Sequence, residues 1–149
     1  MTNYFELCGL TNAQVEEPLI QLDSVLNAFA DEVGARFDIN YKDSISRHIT
    51  MGGLYSMTYK IQIACVVTDP PKGRLKSVFR YQIALSVWKD DVRGRRYWWT
   101  CNYSAFKRLP NKQKMKALLQ RAWRKLLRVE ESDLVLASER VQRAAQYPG

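Results

Sequence analysis

Histidine is almost absent from this chain: 149 residues contain one, His48. A single imidazole in a stretch that reads as a polar connection, near Asp43, Ser44 and Ser46, is a poor start for general-base chemistry. Cysteine is scarce too. Cys8, Cys65 and Cys101 form no even set and no C-x-x-C pair, which argues against a disulfide framework and against structural zinc. The spellings G-x-S-x-G and H-E-x-x-H and a phosphate-cradling glycine loop are all missing. No run of about 18 apolar residues occurs, and the first ten residues lack a basic start followed by an apolar core. The chain is therefore expected to be soluble, reduced and cytoplasmic, with no membrane partner and no cofactor. With 7 Gly and 5 Pro it carries no linker or low-complexity segment. Residues 1–149 read as one domain, large enough to bury about two thirds of the surface the unfolded chain exposes.

Acid is the next absence, and it is local. Residues 93–128 contain no Asp or Glu, yet hold 12 of the 23 Lys and Arg. Residues 1–71 show the reverse balance, with 4 Lys/Arg against 9 Asp/Glu. A net charge of +8 that is this unevenly placed points to a basic interaction face for a polyanion. Tyr97, Trp98, Trp99, Tyr103, Phe106 and Trp123 lie among the cations.

Periodicity supplies the fold class. Leu19, Leu22, Leu26, Phe29, Ala30 and Val33 recur at helical spacing, with Pro18 placed in the first turn and Gly34 as the left-handed cap. The period then drops to 2. Phe37, Ile39 and Tyr41 make a short strand, and a polar connection through Gly52-Gly53 leads to a long one with Tyr55, Met57, Tyr59, Ile61, Ile63, Cys65 and Val67 on one face. Asp69-Pro70-Pro71-Lys72-Gly73 reads as a turn. Phe79 to Val87 and Tyr97 to Tyr103 repeat the strand pattern around a second turn that contains Gly94. After Pro110, Met115, Leu118, Leu119, Ala122, Leu126 and Val129 return to helical spacing. A last helix is expected from Ser132, with Leu134, Ala137, Val141 and Ala144 as its stripe. The expectation is an α+β chain: an N-terminal helix packed on a curved antiparallel sheet of about four strands, followed by two C-terminal helices. That layout is similar in architecture to cystatin-like and NTF2-like folds, an analogy that carries no activity.

Two surfaces within this layout suit nucleic acid. Pairing about Val92-Arg93 sets Trp88 opposite Trp98 on the face away from the first helix, with Arg80, Arg96 and Lys60 at the same parity. Indoles beside guanidinium groups form a stacking platform for unpaired bases. The alternative is that C-terminal helices cover both tryptophans. The second surface is the basic helix, where Lys114, Arg121, Arg124, Lys125 and Arg128 fall within about a 100° arc opposite the apolar stripe. Lys112 and Lys116, at the start of the same helix, are added as phosphate contacts. Lys112-Gln113-Lys114-Met115-Lys116 resembles the lysine-rich start of the second helix of double-stranded RNA-binding domains, as does the order helix, antiparallel strands, helix. The chain departs from that family at Arg108-Leu109-Pro110, at Met115 and in its longer strands, and is not assigned to it.

A metal-dependent nuclease would need clustered carboxylates near a lysine. Asp38, Asp43, Asp69, Asp90 and Asp91 instead read as strand-end and turn acids. The reading is a non-enzymatic binder of RNA or single-stranded DNA. Its site residues are Arg80, Trp88, Arg96, Trp98, Lys112, Lys114, Lys116, Arg121, Arg124, Lys125 and Arg128. The rival is a protein-protein interaction or adaptor module (phage, plasmid or secretion-associated) whose basic helix docks on an acidic protein. A pocket between the first helix and the sheet has no polar constellation to recommend it. A homodimer is compatible with the sequence, which does not rank oligomeric states.

Overall fold

The computed structural model describes residues 10–40, 45–68 and 78–136. Helix α1 (Asn12–Val33) begins well before Pro18, because Thr11 and Gln14 form a capping box. Thr11 Oγ1 accepts from the Gln14 N–H at 3.2 Å, and Gln14 Oε1 accepts from the Thr11 N–H at 2.9 Å. Two otherwise orphaned donors are satisfied in this way. Pro18 lies inside the helix, where it removes one main-chain hydrogen bond. Gly34 ends α1 at φ 76° and donates its N–H to Ala30 and Asp31 carbonyls, as its position suggested.

Among the described residues, six strands follow the helix in one open antiparallel sheet. They are β1 (Arg36–Asn40), β2 (Ser46–Met51), β3 (Thr58–Thr68), β4 (Val78–Asp90), β5 (Arg96–Phe106) and β6 (Val135–Leu136), and they neighbour one another in chain order. Ile61, Ile63 and Cys65 on β3 alternate inward with Tyr81, Ile83, Leu85 and Val87 on β4, and all are buried. Helix α2 (Lys112–Leu127) buries Met115, Leu119, Ala122, Trp123 and Leu126 against that same face. α1 contacts β1 and β2, α2 contacts β3 and β4, and the two helices touch each other. Phe29 and Trp123 meet edge to face at 6.1 Å between centroids, which closes the junction between the helices. The Tyr81 hydroxyl, its acidity suppressed by burial to a pKa of about 12, donates to the Val15 carbonyl at 2.8 Å and ties β4 to α1. Among the described residues no helix is long and apolar enough to cross a membrane.

The sheet holds more strands than the alternation pattern indicated. β2 occupies what reads as a polar connection, because Arg47 fills an inward position between Ser46 and His48 and breaks the apolar alternation. Arg47 is nevertheless 1% exposed. Its guanidinium donates to both Asp23 carboxylate oxygens, at 2.8 and 3.1 Å, and Glu16 lies at 3.6 Å. Both acids sit on α1, so the ion pair fastens that helix to β2. Tyr55 is not part of β3; it occupies the β2–β3 turn at φ 63° and is 54% exposed. The expected last helix is not found where its start lies: Glu131–Asp133 form a 3-10 turn, and β6 follows by pairing Val135 with Trp98 and Leu136 with Tyr97. The β-branched Val135 and its apolar neighbour gain a strand partner there. The rest of that expectation, at Ala137, Val141 and Ala144, lies outside the described residues, as do Tyr41 and the 69–73 turn.

Removing one member of a buried ion pair leaves the other charge poorly compensated. Asp23→Ala is therefore expected to lower stability by about 3 kcal/mol in urea unfolding, and Arg47→Met, which removes the charge itself, by less.

Candidate nucleic-acid interface

The outer face of the sheet points away from both helices. Trp88 on β4 and Trp98 on β5 are direct cross-strand partners, as pairing about residues 92–93 requires. Their rings stand 5.2 Å apart at 39°, and neither α1 nor α2 covers them. Side-chain hydrogen bonds brace the hairpin that sets this register. The Asp91 carboxylate accepts from the Arg93 and Arg95 N–H groups, each at 2.9 Å, and from Arg95 Nε at 2.8 Å, while Gly94 adopts φ 80°.

The indole pair already has cationic company. The Arg96 guanidinium lies 5.6 Å from the Trp88 centroid and 5.2 Å from that of Trp98, and Lys60 Nζ lies 5.4 Å from Trp88. Arg96 is held there by Asp90, its direct cross-strand partner, through hydrogen bonds of 2.6 and 2.8 Å. Those bonds hold the Asp90 carboxyl below its usual range and raise the affinity of Arg96 for its proton. Burial, and secondarily Arg96, lowers the Lys60 pKa. Chemically the cluster is a half-buried cation–π box whose main cation is already neutralised. Arg80 is not part of it. It pairs with Val66 on the outer face, eight residues along β4 from Trp88, about 26 Å at strand rise, and donates to the Phe79 carbonyl at 3.1 Å.

Helix α2 presents the other surface, on the opposite side of the sheet. Asn111 caps it by accepting from the Lys114 N–H at 2.9 Å. Lys112, Lys114, Lys116, Arg121, Arg124, Lys125 and Arg128 are all exposed. Lys125 leans over the Tyr103 ring at 5.9 Å. No acid lies within α2, and among the described residues none of these cations forms an ion pair. Lys112 with Lys116, Arg121 with Lys125, and Arg124 with Arg128 repel at i,i+4 spacing, each by a few tenths of a kcal/mol. Lys112 and Lys114 also sit at the positive end of the helix dipole. Trp123, which reads as one of the aromatics of the basic stretch, is 6% exposed and belongs to the core.

Other chemistry-bearing residues are elsewhere. His48 stands on β2, not in a loop, with Nε2 3.0 Å from Ser46 Oγ and with Asp38 as its cross-strand partner on β1. Burial, and then Lys60, lowers its pKa, while Asp38 opposes them. Ser46 is 2% exposed, so a substrate has no access to this Ser–His pair. Burial pushes the Cys65 thiol up to about 12, far from a reactive thiolate. Among the described residues no group of three or more His, Cys, Asp or Glu could hold a metal ion. Comparisons of the chain with protein-family models, with curated proteins and with solved structures find no match.

Two titrations check these environments. A His48 pKa lowered in the folded state means that the unfolded chain takes up the proton first. Stability should then fall as pH drops below about 6.5, and His48→Gln should flatten the stability–pH curve between pH 7 and 5. Cys65 should stay unlabelled by an aromatic disulfide reagent at pH 8 until the protein is unfolded; prompt labelling of Cys65 itself in the folded protein, read in a variant with Cys8 and Cys101 replaced by Ser, would contradict its burial.

Proposed function

We propose that this protein is a non-enzymatic nucleic-acid binder whose phosphate-contacting element is α2. The observation that carries this reading is the set of seven exposed cations from Lys112 to Arg128, five of them on one outward arc with Lys112 and Lys116 on the flank towards α1, with no acid within the helix and no ion pair among the described residues. Like charges at i,i+4 and lysines in the first turn cost stability, and Arg124 and Lys125 in the last turn offset part of that cost. A polyanion lying along the helix converts those costs into attraction and releases its own counterions. RNA or single-stranded DNA is the ligand class we propose, and the Trp88–Trp98 pair on the opposite face offers unpaired bases a second, stacking surface. That platform is secondary in this account. Arg96 already lies across both rings and is neutralised by Asp90, so a base must compete with it.

Fluorescence anisotropy with labelled single- and double-stranded RNA and DNA tests the reading. Arg121→Glu with Arg124→Glu should weaken binding to all probes alike, by at least about tenfold near 50 mM salt, while the fold persists. Trp98→Ala should leave affinity within about threefold, well short of the loss expected of a fully used stacking ring. Unchanged affinity in the double variant would remove α2 from the account. A loss confined to single strands in Trp98→Ala would move the site to the sheet. An absence of binding at low salt would leave α2 as a docking surface for an acidic protein.

A further inference from the structure

The Trp88–Trp98 pair and the α2 cations lie on opposite sides of the sheet, so a base stacked on the indoles is out of reach of the helix. One half-buried ring lies on the side of α2. Tyr103 on β5 packs against the edge of the core, and Lys125 Nζ stands 5.9 Å from its centroid. A bulge sets its position. Asn102 pairs with Ala84 and Ser104 with Ile83, which leaves Tyr103 as the extra residue without a direct partner on β4. Bulges re-aim a side chain out of the regular alternation and are enriched beside functional sites.

Two further features open this corner. β6 pairs only with Tyr97 and Trp98, and among the described residues no strand lies on that side of β5 from Trp99 to Phe106. About 23 Å of strand edge is thus left without a strand partner. The cations of α2 also divide between two flanks. Lys116 shares a cleft with Ser24, Ala28 and Glu32, and Arg124 shares another with Glu32 and Val33, which sets both on the side of α1. Lys114, Arg121 and Lys125 fall within about 40° of one another at 100° per residue, and the Lys125–Tyr103 contact turns that group towards β5.

We infer that the trough between this flank of α2 and the open edge of β5 receives unpaired bases. A base enters from the strand edge and stacks on Tyr103, while Lys114, Arg121 and Lys125 hold the phosphates beside it. The site rests on the nucleic-acid reading of α2, and it gives single strands a contact that duplexes lack. The ring belongs to the sheet layer, beneath the helix flank, where bases stacked within a duplex cannot present a face to it. A duplex still lies along the outward arc of cations. Lys125 has two roles. Without ligand it covers the ring through a cation–π contact, and with ligand its ammonium moves to a phosphate as the base takes its place.

Anisotropy of the full chain with labelled single- and double-stranded RNA near 50 mM salt tests this. Tyr103→Leu keeps an apolar side chain against the core and removes the aromatic face. It should weaken single-strand binding by about tenfold and leave duplex binding within about twofold, whereas Tyr103→Phe should leave both within about twofold. Two pairs of exposed cations provide a second arm that removes equal charge. Arg121→Ala with Lys125→Ala should weaken single strands several times more than Lys116→Ala with Arg124→Ala, and the two pairs should weaken the duplex alike. Should Tyr103→Leu fail to fold, the comparison of flanks decides alone. Tyr103→Leu acting equally on both probes, a single-strand loss of the same size in Tyr103→Phe, or flank pairs that weaken single strands alike would overturn the site and leave α2 as the phosphate-contacting element. No binding of either probe by the unaltered protein would overturn the site together with the reading it rests on.

Discussion

Two helices must share the single apolar face of one sheet, and the rest of the molecule follows from that constraint. α2 commits Met115, Leu119, Ala122, Trp123 and Leu126 to the core. Burying side chains of this kind stabilises by about 1.5–3 kcal/mol each for the large ones, before the offset from chain entropy. The like-charge pairs on the exposed side cost a few tenths each. Burial therefore decides the rotation of the helix about its axis, and the cations have no choice but to face outward. α1 is held by the same kind of seam, reinforced by the Arg47–Asp23 pair and by the Tyr81 hydroxyl on the Val15 carbonyl.

Much of this was legible in the sequence because it depends on local period. The stripe from Leu19 to Ala30, the αL glycine at 34, the paired long strands and the rotation of α2 all came from spacing alone. β2 was hidden because its inward row contains Arg47, a residue that alternation treats as outward. Asp23 and Glu16, which make that burial tolerable, lie on a different element, and no local pattern links them to it. β6 was hidden for another reason. Two residues paired with Tyr97 and Trp98 gain their strand character from a neighbour far away in the chain, so helical spacing beyond Ser132 misled.

The candidate site divides along the same line. The facing of Trp88 and Trp98 was readable from parity once the turn was placed, and the exposure of the α2 cations from their arc. The state of Arg96 was not readable. Asp90 is six residues away in sequence and becomes its partner through strand register, which turns an expected phosphate ligand into half of a neutral pair lying over two indoles. Arg80 shares the correct parity yet lies far along the strand, because parity fixes the face and says nothing of position on it. The residues first grouped as one basic, aromatic surface thus occupy two sides of a sheet. One side is electrostatically satisfied, and the other is not.

That contrast makes the unsatisfied helix the central claim, and its most direct measurement is the salt dependence of single-stranded RNA affinity for the unaltered protein. Log affinity against log salt should be linear, with a slope of roughly −3 to −5, as expected when five to seven α2 cations each meet one phosphate. A slope near zero, or no binding at the lowest salt, would contradict the account.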